Sequence, residues 1–75
     1  MKRARILQRG IITDRQKGDN FLLRLLDIPI KVIAYPCGTI RRNNIYLCIG
    51  DEVEVELSPY NLKNGRILWR HSEEL

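Results

Sequence analysis

The alternation of apolar and polar residues predicts an all-β protein: a five-stranded Greek-key barrel of the OB type. Three observations lead there. Period-2 patterning runs through most of the chain, Gly, Pro, Asn and Asp punctuate it at the short spacing of a small barrel, and one stretch between the third and fourth strands has no such period. An SH3-like barrel is the rival on pattern alone. A chain of 75 residues holds one domain with one core, so residues 1–75 are read as a single domain with flexible ends at 1–5 and 71–75.

The first strand is expected over residues 3–14. Gly10 lies inside it, where glycine often marks a bulge or a sharp bend. Residues 15–20 (R-Q-K-G-D-N) read as an exposed hairpin loop and residues 21–26 as the second strand. After a turn at 27–29, the third strand covers 30–35 and stops at Pro36, whose ring nitrogen has no hydrogen to give a ladder. Residues 36–44 lose the alternation and leave room for one helical turn at 39–43. Residues 45–49 are apolar and expected to be buried. Gly50-Asp51 turns the chain into E-V-E-V-E-L at 52–57, where Val53, Val55 and Leu57 face inward and Glu52, Glu54 and Glu56 outward. Ser58-Pro59-Tyr60 ends that strand, and Asn64-Gly65 reads as a turn before the last strand at 66–70. There Ile67 and Trp69 are expected on one face, with Arg66, Leu68 and Arg70 on the other.

Charge points to the class of partner. The net +4 divides into +7 over residues 1–42 and −3 over residues 43–75, so a basic face can meet a polyanion while an acidic face is turned elsewhere. The glutamate ladder reads as that averted side. No apolar run approaches the roughly 20 residues that span a bilayer, and residues 1–5 lead into polar Gln8 and Arg9 rather than a signal segment. The expectation is a soluble protein, made where it works, without a membrane partner. Cys37 and Cys48, with no paired C-x-x-C, read as reduced thiols.

Catalysis has little to work with. His71 is the one histidine, no metal-ligand cluster or phosphate-cradling glycine loop occurs, and neither enzyme activity nor a metal or cofactor is expected. The informative stretch is 38–44 (G-T-I-R-R-N-N), which joins the backbone freedom of Gly38 to the guanidiniums of Arg41 and Arg42 and the amides of Asn43 and Asn44, with no offsetting acid. Guanidinium matches phosphate oxygens bidentately, and Asn can bond base edges or the ribose hydroxyl. Arg66 and Arg70, four strand residues apart, would lie about 13 Å from each other on one face, a two-phosphate spacing. Phe21, Tyr35, Tyr46, Tyr60 and Trp69 are scattered singly, and three or four of them are expected in the core. Tyr60, beside Pro59 in a turn, is the one most expected at the surface. Single-strand binders stack bases on clustered aromatics, so the pattern favours folded RNA over an unstructured strand. A general single-strand RNA chaperone of cold-shock type is the alternative, and a protein-interaction barrel using the Glu52/Glu54/Glu56 face is the third reading.

From residue 34 to residue 70 the chain also resembles the bacterial and plastid translation initiation factor one family. The stretches that carry this are G-T-I-R-R-N at 38–43, Ile45, G-D-E-V-E-V-E-L-S-P-Y at 50–60, and G-R-I at 65–67 with Arg70. The resemblance implies an OB barrel that occupies the aminoacyl-tRNA site of the small ribosomal subunit, contacts 16S-type ribosomal RNA and a neighbouring ribosomal protein, and cooperates with other initiation factors. It implies a monomer, in the cytoplasm of a bacterium or in a plastid stroma. By matching position, the implied RNA-binding residues are Arg41, Arg42, Asn43, Tyr60, Arg66 and Arg70, with Gly38 supporting the loop. The chain departs from the family at Thr39, where Lys is usual, and at Tyr35, Asn44 and Tyr46, where His, an aromatic and Arg are common. Two positive charges are thereby missing, which implies a weaker hold on phosphate.

Overall fold

The computed structural model describes residues 6–71. Its elements are β1 (Ile6–Gln16), β2 (Asn20–Leu25), β3 (Lys31–Pro36), α1 (Gly38–Arg42), β4 (Glu52–Ser58) and β5 (Asn61–His71). The strands close into a barrel in the order β1-β2-β3-β5-β4, all antiparallel except the parallel pair β3–β5. This is the expected OB barrel, with its short helix between the third and fourth strands. Of the ends expected to be flexible, residues 1–5 and 72–75 lie outside the described residues. His71 is held in β5 opposite Glu52.

The alternation does what a closed barrel requires. Phe21, Leu23 and Leu25 of β2, Val32 and Ala34 of β3, and Val53, Val55 and Leu57 of β4 all point inward and are buried. Ile12, Ile67 and the helical Ile40 complete the core. Long β1 serves two ladders, pairing with β4 from Ile6 to Ile11 and with β2 from Gly10 to Gln16. The bulge that lets it do so lies between Ile12 and Asp14, not at Gly10. Gly10 instead sits where both ladders overlap, and a Cβ there would stand 3.1 Å from the Arg24 carbonyl oxygen.

Several boundaries move. Residues 15, 16 and 20 join the strands, so the first hairpin loop is only residues 17–19, with Gly18 and Asp19 at φ 71° and 64°. The Asn64-Gly65 pair is not a turn: both residues lie within β5, opposite Ile33 and Ala34 of β3. Gly65 is needed there because a Cβ would stand 2.7 Å from Val55 Cγ2. In 45–49 only Leu47 is fully buried; Tyr46, Cys48 and Ile49 are exposed. Pro36 ends β3 in register with Ile67, and the next residue supplies the donor that proline lacks, Cys37 N–H donating to the Ile67 carbonyl at 2.9 Å.

Candidate nucleic-acid interface

Helix α1 closes one end of the barrel. Ile40 is its buried plug, whereas Thr39, Arg41 and Arg42 on the same turn are exposed. The helix ends in a Schellman motif: Ile45 N–H donates to the Ile40 carbonyl at 3.1 Å and Asn44 N–H to the Arg41 carbonyl at 3.2 Å. That closure puts Asn44 at φ 55°, a left-handed conformation asparagine tolerates better than most residues. Gly38, by contrast, has room for a side chain, since a Cβ would meet only Arg42 Nη2 at 3.7 Å.

The first hairpin folds toward this end. Arg15 and Phe21 from β1 and β2, Ile40 and Arg41 from α1, and Asn44 and Tyr46 beyond it line a cleft of about 460 Å³. The Arg15 guanidinium lies over the Phe21 ring, 5.6 Å from its centroid, within cation–π range. Arg41 and Arg42 make no ion pair among the described residues. Among the described residues the last turn of the helix therefore offers two guanidiniums without an ion-pair partner, beside a cleft that holds an exposed tyrosine and one acid, Asp19.

The remaining predicted residues lie elsewhere. Arg66 and Arg70 do not share a face, because β5 bulges at Leu68: Val55 is opposite Ile67, but Glu54 is opposite Trp69 and Val53 opposite Arg70. Trp69 is thereby turned outward, away from the face of Ile67. Arg66 stays on the outer wall, donating to Glu56 Oε1 at 2.8 Å. That hydrogen bond, with the carboxylate's charge, holds the Arg66 guanidinium above its ordinary pKa against a smaller opposing effect of burial. Arg70 donates to the Tyr46 carbonyl at 2.8 Å and so tethers the loop after α1. Asn43, exposed, is the C-cap of α1, and Tyr60 is 97% exposed at the β4–β5 turn.

The glutamate ladder is not a bare acidic face. Glu52 pairs with Arg9 at 3.0 Å, Glu56 pairs with Arg66, and Glu54 stands 3.7 Å from His71 Nε2. Nor are most aromatics core: Phe21 alone is buried, while Tyr35, Tyr46, Tyr60 and Trp69 are 48%, 83%, 97% and 50% exposed. Sequence reasoning missed Arg15 and Tyr46 as members of the cleft. Their signal was only their type, a cation in a hairpin and an aromatic after a helix; the closed topology brings them together.

Barrel and helical cap define the class, a small OB-fold protein with a basic loop end. No family model matches the chain, but individual proteins do. It is 41% identical over 71 residues to the translation initiation factor IF-1 of Mycoplasmoides gallisepticum, covering 95% of this chain and all of that one. It is 44% identical over 62 residues to the chloroplastic IF-1 of Tetradesmus obliquus, covering 83% of this chain and 60% of that one. The solution structure of the translation initiation factor IF-1 from the Wolbachia endosymbiont of Brugia malayi superposes with a TM-score of 0.73 at 34% identity, over 91% of this chain and 79% of that one. The chain belongs to the translation initiation factor IF-1 family and has a role in translation initiation.

Proposed function

We propose that this protein binds folded ribosomal RNA at the aminoacyl-tRNA site of the small ribosomal subunit, blocks early tRNA entry there and assists the other initiation factors. The observation that carries this reading is the end of the barrel at α1, where Arg41 and Arg42 form no ion pair among the described residues and stand beside the cleft formed with Arg15 and Tyr46. Phosphates engage the guanidiniums, Asn43 lies within reach of sugar or base edges, and the cleft offers an aromatic surface. Gly38 starts the helix that presents them. Tyr60 and Arg66 contribute from the wall, Arg66 only by exchanging Glu56 for phosphate, and Arg70 contributes through the loop it tethers. The protein acts as a monomer without cofactor or metal, beside a ribosomal protein, in a bacterial cytoplasm or a plastid stroma.

Co-sedimentation with purified small subunits tests this. The wild-type protein pellets with them, and Arg41→Ala combined with Arg42→Ala weakens the association by about 3 kcal/mol, the scale of one or two charge-assisted hydrogen bonds. Undiminished co-sedimentation of the double variant would remove the loop from the interface. The four exposed aromatics favour a second reading, single-strand RNA binding of cold-shock type. Preferential binding of unstructured oligomers over subunits would put that reading first.

A further inference from the structure

A pair of cations on the barrel wall has no part in the contacts proposed for α1. In the β2–β3 ladder Arg24 lies directly opposite Lys31, and both are exposed. Like charges opposite one another across two strands weaken a sheet. Neither residue forms an ion pair among the described residues, and the β1 neighbour of Arg24 is Ile11, which brings no compensating charge. Both cations line a cleft of about 290 Å³ against the 26–30 turn, whose Leu26, Asp27 and Pro29 form its other wall. Leu26, in that wall, exposes 46% of its surface.

We propose that Arg24, Lys31 and the 26–30 turn form a second RNA-backbone site, at the end of β3 remote from α1. This rests on the RNA-binding reading given above. A guanidinium and an ammonium side by side match a phosphodiester or two successive ones. The apolar turn offers a surface to sugar or base. Asp27, the one acid in the cleft, repels a bare anion but accepts a hydrogen bond from a ribose hydroxyl or an exocyclic amine. The chemistry therefore selects a ribonucleotide segment over a simple anion. Lys31 and Pro36 stand five strand residues apart, about 16 Å, so this site and α1 hold separate phosphate-bearing segments of one folded RNA.

The test uses the full chain, purified small subunits, and Arg24→Gln combined with Lys31→Gln. The double variant binds about tenfold more weakly, and its plot of log K against log salt is shallower by about 1.5, two contacts at roughly 0.7 to 0.9 each. Its Tm is unchanged or higher, because a repulsion has been removed. Wild-type affinity and slope in this variant, alongside weakened binding by the Arg41/Arg42 variant, overturn the second site and leave the α1 reading standing. A wild-type protein that does not bind subunits overturns both. If affinity and Tm fall together, Arg24→Lys with Lys31→Arg decides: restored binding supports the site, and continued loss overturns it.

Discussion

Gly65 shows what one missing side chain does for this barrel. It sits between β3 and β4, where a Cβ would meet Val55 Cγ2 at 2.7 Å, the Glu56 carbonyl oxygen at 3.1 Å and Leu57 Cδ2 at 3.2 Å. Two of those neighbours are core side chains, and interiors packed to crystal density have no space to give. Gly65→Ala is therefore expected to cost about 1–3 kcal/mol, the usual penalty of overpacking, read as a lower urea midpoint with an unchanged m-value. The paired chemistry of Arg66 is also a residue-scale matter. Glu56 occupies its guanidinium, so the residue that resembled a ready phosphate ligand must first exchange a partner.

At the scale of elements, the informative unit is α1 with the segment that follows it. A five-residue helix is too short to be stable alone. It is held by Ile40 in the core, by the Schellman closure at Asn44, and by the hydrogen bond from Arg70 to the Tyr46 carbonyl. Further on, Cys48 N–H donates to Asp51 Oδ2 at 2.9 Å and Gly50 N–H to the Ile12 carbonyl at 2.8 Å, which fixes the far side of the segment to β1. Arg70→Ala leaves the near side untethered. Amides around Tyr46 should exchange faster while β2 and β3 amides do not, with a loss of about 1 kcal/mol in global stability. Equal acceleration across all strands would mean that Arg70 supports the barrel as a whole rather than this loop.

Across the whole molecule, charge is arranged by barrel closure rather than by sequence halves. The order β1-β2-β3-β5-β4 places the glutamates of β4 between β1 and β5, where Arg9 and Arg66 reach two of them. Much of the local acidity is spent internally. Among the described residues, cations without such partners remain at α1 and at the far end of β2–β3. If Arg41, Arg42, Arg24 and Lys31 each neutralise a phosphate, log K should fall with log salt at a slope of about −3, at 0.7 to 0.9 per contact. A flat response in a salt titration of subunit binding would remove phosphate recognition from the account.

The barrel itself was legible in the chain. Alternation such as that of 52–57 dictates which side of a strand is apolar, and a closed sheet of five such strands is a compact way to bury every apolar side. The helical excursion at 38–42 and the exposure of Tyr60 were legible for the same local reasons, a lost period and a proline-marked turn. Relations between distant residues were not. Alternation assumes an unbroken ladder, so the Leu68 bulge, invisible in composition, reversed Trp69 and parted Arg66 from Arg70. Asn64-Gly65 has the chemistry of a turn, yet close approach of three strands makes the glycine a packing residue. Fold, family and the paired arginines of α1 could all be read from the order of residues, because each depends on local pattern. Which cations are ion-paired within the barrel and which are not follows from its closure, because closure decides which strands become neighbours.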